Sequence, residues 1–290
     1  MLLGRHAELV RRLGAGRGAL DLVAAVAVEA DRRANQGGNA IKFPLYDGES
    51  YRRDIDGANV TKAVHVQAAI GIADPVDETR WLQEQAETTG FPHAIVAYSN
   101  LKDPDVEREI EAHLEASPLM RGIRDFSEGD YLVDPSFERG YAKLAKYGLV
   151  CDLDCFWENM HKARDLSQRH PDVPMVLDHA GFPLERTDEY FENWKGGIAT
   201  LAEAESAWCK ISGLGMGDND WTVDSLRPWV LHCIEAFGVE RCFFGTNWPV
   251  DKMYSSYGQL IDAYAEIVQG FSRDEQVALF SGNAEKLFRI

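Results

Sequence analysis

Short apolar runs, often β-branched, recur along this chain, and most of them end in polar side chains before a segment of helical periodicity begins. This alternation constrains the fold more than any other feature. Strands buried on both faces read as continuous apolar runs, and they require helices to cover them. Strands are expected over residues 20–28, 62–68, 93–98, 120–123, 149–153, 174–179, 208–212 and 242–244. Helices are expected from Asp74-Pro75, with Asp74 as N-cap and Pro75 at the first helical position, and over 103–114, 134–146, 157–169, 188–204 and 223–236.

Eight such units in 290 residues predict an α/β chain, a single-domain (β/α)8 TIM barrel over residues 1–290, with extra C-terminal helices at 257–269, 273–281 and 283–289. A doubly wound open sheet is the rival, but no Gly-rich phosphate turn follows the first expected strand at Val28. Residues 1–18 read as a short helix or loosely held arm. Residues 31–61 read as a long loop with a short helix over one mouth, a candidate lid.

A net charge of −17, with no Lys/Arg-rich run to offset it, argues against nucleic acid and anionic lipid as partners. The run 19–30 is interrupted by Asp21 and Glu29 and is too short to span a bilayer. The basic start before it faintly imitates a signal peptide, but no small-x-small cleavage site leads into a clean mature start. Cys151, Cys155, Cys209, Cys233 and Cys242 are odd in number, lie in or beside apolar segments and show no C-x-x-C spacing, so they read as reduced core residues of a cytoplasmic protein.

Barrel chemistry sits at the carboxyl ends of the strands. Collecting those ends gives His65 and Gln67, Tyr98 and Asn100, Arg121 and Arg124, Asp152 and Asp154, His179, Lys210 and Ser212, then Asn247, Trp248 and Asp251. His179, between an acid and an alanine-glycine pair, has a pKa range suited to moving a proton, polarising a carbonyl or binding metal. Arg121 and Arg124 differ by three, so on a strand they point to opposite faces, and one of them could grip a substrate carboxylate through paired hydrogen bonds. Lys210 and Ser212 share a face and could orient an oxyanion. Trp248 and neighbouring aromatics would wall the mouth.

Four motifs in order, Val176-Leu177-Asp178-His179-Ala180-Gly181-Phe182-Pro183, Lys210-Ile211-Ser212-Gly213-Leu214-Gly215, Phe244-Gly245-Thr246-Asn247-Trp248-Pro249-Val250-Asp251 and the closing Asn283-Ala284-Glu285-Lys286-Leu287-Phe288-Arg289-Ile290, resemble the amidohydrolase-related TIM barrels that include 2-pyrone-4,6-dicarboxylate lactonase and the sugar-acid lactonases. The resemblance runs from about Tyr51 to Ile290. It implies hydrolysis of a lactone or related cyclic ester or amide, with a strand-end aspartate activating water and histidines polarising the carbonyl. Two departures stand out. Val26 and Val28 occupy the places of the family's His-x-His pair, which disfavours zinc or another divalent metal, so no cofactor is expected. Asn247 stands where the family has aspartate, and an amide cannot serve as a base near neutral pH. The Arg-, Gly- and Ala-rich opening is also what a shifted reading frame or altered start would leave.

The expectation is therefore a metal-independent hydrolase of a small carboxylated lactone. His179 or Asp251 would take the proton of water, with Asn247 beside them. His65, Gln67, Arg124, Lys210, Ser212 and Trp248 would hold the substrate. The alternatives are a catalytically impaired barrel that binds a small acid or serves in assembly, and a non-oxidative decarboxylase of an aromatic acid. Homo-oligomers are common among such proteins and are an option here.

Overall fold

The computed structural model describes residues 46–68, 73–127 and 129–290. The expected strand at 20–28, the arm at 1–18, Val26, Val28 and residues 31–45 of the 31–61 segment lie outside the described residues. The chain divides into two compact units, Met1–Tyr131 and Leu132–Ile290.

In the first unit the described elements are α1 (Gly48–Asp54), β1 (Val64–Val66), α2 (Val76–Thr89), β2 (Ala94–Tyr98), α3 (Val106–Ala116) and β3 (Met120–Asp125). β2 pairs in parallel with both other strands, placing Val64 opposite Ala94 and Tyr98 opposite Arg124. α2 starts one residue later than a cap at Asp74 would give, and Asp74 instead accepts a hydrogen bond from the Val76 N–H at 3.0 Å. α1 is the short helix expected within 31–61. It docks on the C-terminal end of α2: Gln85 accepts from the Gly48 N–H, Arg52 donates to the Thr89 carbonyl, and Tyr51 meets Phe91 edge-on. Those contacts put α1 beside the chain entering β2, at the amino end of that strand.

The second unit contains α4 (Pro135–Tyr147), β4 (Val150–Leu153), α5 (Met160–Arg169), β5 (Met175–Leu177), α6 (Asp188–Ala202), β6 (Ala207–Ile211), α7 (Val223–Phe237), β7 (Cys242–Phe244), α8 (Tyr257–Ile267), α9 (Arg273–Val277) and α10 (Asn283–Phe288). Its strands also pair in parallel, in chain order, with Cys151 opposite Met175 and Cys209 opposite Cys242. Parallel strands alternating with helices make the chain α/β, as the apolar runs predicted. All five cysteines are buried and free of disulfides. No helix among the described residues is long and apolar enough to cross a membrane.

α6 shows how sequence becomes packing. The Thr187 side chain caps it by accepting from the Tyr190 N–H, and Tyr190, Trp194, Gly197, Ile198 and Leu201 recur at helical spacing on its buried face. Gly197 rides on Trp157, where an added Cβ would fall 2.9 Å from a backbone oxygen, whereas Gly196 next to it faces open space. The closing helix is tied in by Asn283, whose Nδ2 donates to the Val239 and Cys242 carbonyls at 2.7 Å each. This pins the entry of β7 and accounts for an asparagine at the head of the last motif.

Two adjacent glycines should therefore respond with opposite sign. Gly197→Ala is expected to cost about 1–3 kcal/mol through overpacking against Trp157. Gly196→Ala is expected to stabilise by up to about 1 kcal/mol through helix propensity. Urea unfolding midpoints of the two variants check both.

Candidate active site

The chain leaves β5 through a left-handed turn. His179, Ala180, Gly181 and Phe182 all have positive φ, at 50°, 51°, 72° and 54°. L-residues other than glycine take this conformation at roughly 1–2 kcal/mol apiece, so the surroundings must hold it. Gly181 is the position where a side chain would strike Met160, and the Phe182 N–H closes the turn on the His179 carbonyl at 2.9 Å. The expected strand over 174–179 ends early, at Leu177, because the backbone reverses hand here. The reversal presents the His179 imidazole to Ser212, with Nδ1 2.8 Å from Oγ, and seats it edge-on against the Phe182 ring. Gly213 is forced to be glycine by the same ring, since its φ is +63° and an added Cβ would fall 2.8 Å from Nδ1.

Below this turn lies a buried charge cluster. Lys210 Nζ is 2.7 Å from Asp152 Oδ2 and 2.6 Å from Asp178 Oδ1, and both carboxylates are fully buried. The Asp152 contact is a well-aligned hydrogen bond; the Asp178 contact is an ion pair at a poorer angle. Burial pushes the Asp152 pKa up, Lys210 pulls it back, and the neighbouring Asp178 carboxyl raises it again. One ammonium facing two carboxylates leaves a surplus negative charge, which favours one proton shared within the pair. Lys210 and Ser212 both abut Gly245, so the cluster, His179 and the start of the 244–251 motif are contiguous.

Asn247, with φ of 52°, donates from Nδ2 to Asp251 Oδ1 at 2.8 Å. Asp251 is 1% exposed, while Asn247 is half-buried in front of it. Burial pushes Asp251 up to about 7, with the Asn247 amide pulling the other way. Asp251 therefore supports Asn247 from behind. Trp248 is half-buried and meets Tyr257 edge-on at 5.2 Å.

The remaining candidates belong to the first unit. His65 Nε2 lies 3.3 Å from Glu78 of α2, which also accepts from the Ala68 N–H, so this imidazole is engaged by a helix. Gln67 is buried, its backbone N–H bonded to the Val96 carbonyl. Arg121 turns back to the Pro118 and Met120 carbonyls at the strand's amino end. Arg124, near the carboxyl end, stacks over Phe126 at 4.4 Å, and Phe126 in turn stacks on Tyr98. The two arginines thus part as the strand alternation requires. Asn100 is exposed and Asp154 half-buried.

Among the described residues no three His, Cys, Asp or Glu side chains are grouped to hold a metal ion, and the two buried carboxylates already grip an ammonium. Sequence reading named Asp152 and Lys210 but saw Asp178 only as a neighbour of His179. Strand alternation could have flagged Asp152 and Lys210 as inward-facing, but nothing in the sequence announced the left-handed turn or the clamp of α6 upon it.

A family model described as amidohydrolase matches residues 6–290. The chain belongs to the amidohydrolase family. This amidohydrolase is 37% identical over 254 residues to the uncharacterised protein y4mH of Sinorhizobium fredii, covering 83% of this chain and 85% of that one. It is 30% identical over 248 residues to an L-fucono-1,5-lactonase of Burkholderia multivorans, covering 79% and 80%. A solved amidohydrolase of Burkholderia multivorans with bound zinc superposes at a TM-score of 0.77 and 26% identity, covering 84% of this chain and 89% of that one. The family resemblance read from the four motifs is confirmed, and with it the assignment of this amidohydrolase as a hydrolase.

Asp251 gives the site a pH signature. Below about pH 4 the carboxyl is protonated in folded and unfolded chains alike. Between that pH and about 7 the unfolded chain releases the proton and the folded one keeps it, so stability falls as pH rises, by at most on the order of 4 kcal/mol. Asp251→Asn, which still accepts from Asn247, is expected to be near neutral at pH 4 and stabilising at pH 7–8. Thermal melts across that range check the crossing.

Proposed function

We propose that this amidohydrolase opens a small carboxylated lactone, or a related cyclic ester or amide, by adding water without a metal. The observation that carries the reading is the His179 imidazole, fixed through Nδ1 to Ser212 and contiguous with a buried ammonium.

With Nδ1 engaged, proton transfer falls to Nε2. It takes a proton from water as the oxygen attacks the lactone carbonyl carbon, and a tetrahedral oxyanion forms. With one proton shared between Asp152 and Asp178 the cluster is neutral overall, and the Lys210 ammonium is the group we assign to that oxyanion, a role that in many hydrolases falls to preorganised donors. Asn247, steadied by Asp251, orients the water through its amide. The ring C–O bond then breaks, and the proton on Nε2 passes to the leaving alkoxide, giving a hydroxy acid. Arg124, on the first unit's last described strand, has the guanidinium suited to a substrate carboxylate.

Removing a positioned acid–base group typically costs 10²–10⁴-fold. His179→Ala is expected to lower kcat for L-fucono-1,5-lactone by about 10²-fold or more, with metal analysis of the active protein finding no stoichiometric zinc. Unchanged turnover in His179→Ala, or activity that tracks bound zinc, would sink the reading. Release of CO₂ from an aromatic acid would replace it with the decarboxylase. Lys210→Met strands two buried carboxylates, and about 3–5 kcal/mol of stability should disappear, less so in acid where both can be protonated. Denaturant titrations at pH 5 and pH 8 check this.

A further inference from the structure

The turn that carries His179 is held from outside by one face of α6. Trp194 Nε1 donates to the Ala180 carbonyl at 2.8 Å. The Tyr190 hydroxyl donates to the Phe182 carbonyl at 3.1 Å and accepts from the Leu184 N–H. The two residues are four apart, so they stand one above the other on the helix. Trp194 is fully buried and Tyr190 nearly so. Both reach backbone oxygens of residues in left-handed conformations, the peptides with most to gain from rotating away. The indole is itself seated by Trp229 at 4.7 Å and by the stacked Phe191 ring, and α6 is pressed onto Trp157 at Gly197.

We infer that Trp194 and Tyr190 are positioning residues: their two hydrogen bonds lock the left-handed turn and so hold His179 Nδ1 against Ser212, fixing which ring nitrogen meets the substrate. The inference rests on the acid–base role proposed for His179. If either donor is lost, its peptide can relax toward commoner backbone angles, and the imidazole swings off the Ser212 hydroxyl. Neither side chain enters the proton transfer itself. Their effect should therefore fall on turnover and on the tautomer of His179, with little change in substrate binding.

Tyr190→Phe and Trp194→Phe remove the donors and keep aromatic rings. Trp229→Phe is the control, because its ring packs on Trp194 and under the Arg186 guanidinium but gives no hydrogen bond to the turn. With L-fucono-1,5-lactone as substrate, each donor variant is expected to lose roughly tenfold in kcat with KM changed less than about twofold, as small misplacements of a reacting group allow. Long-range proton–nitrogen NMR should show one His179 tautomer in the parent and in Trp229→Phe, and a mixture in the two donor variants. The inference is overturned if the donor variants keep the parent kcat and a single tautomer, or if Trp229→Phe loses as much kcat for the same drop in Tm. His179→Ala in the same assay separates the two failures. Parent-like turnover there removes the acid–base role, while the tautomer spectra still judge the clamp.

Discussion

Two carboxylates are buried at the ends of neighbouring strands in this protein because an ammonium stands between them. Burying a lone carboxylate costs several kcal/mol, and Lys210 offsets that for Asp152 and Asp178 together, at 2.7 and 2.6 Å. The ion cluster ties β4, the end of β5 and β6 to one another at their carboxyl ends. Asp178 is also the residue from which the left-handed turn departs, so the charge cluster and the imidazole share one backbone joint.

That joint explains why so many unlike residues converge here. A run of four left-handed residues is unstable alone, and each of its exits is blocked by a different device. Glycine fits at 181, where a methyl would strike Met160. An indole and a phenol hold the carbonyls at 180 and 182. A serine from the next strand engages the ring. Asn247 is likewise a left-handed residue, backed by a carboxyl that burial keeps protonated far above its usual range. Left-handed backbone thus occurs just beyond both strand ends, beside the buried acids Asp178 and Asp251.

The departures from the family pattern gain a physical reading from this arrangement. Asn247 cannot take a proton, but its amide is oriented by Asp251 and can in turn orient a water or a carbonyl. Among the described donors, the two buried carboxylates of Asp152 and Asp178 are engaged by the Lys210 ammonium.

Much of this was written in the order of residues. The apolar runs at 93–98, 149–153 and 208–212, each followed by helical periodicity, announced parallel strands, and the four motifs announced the family. Strand alternation already separated Arg121 from Arg124. Local sequence could do this because burial on two faces and helical spacing are properties of short segments. What it could not show were contacts between segments far apart in the chain. The ion cluster joins residues 152, 178 and 210, and the left-handed carbonyls of Ala180 and Phe182 in the run His179-Ala180-Gly181-Phe182 accept hydrogen bonds from Trp194 and Tyr190 on the following helix. His65 was legible as a strand-end imidazole, but its pairing with Glu78 depended on how α2 packs. Sequence fixes what each segment prefers; only tertiary packing supplies the partners that make a buried charge or a left-handed histidine worth its energetic cost.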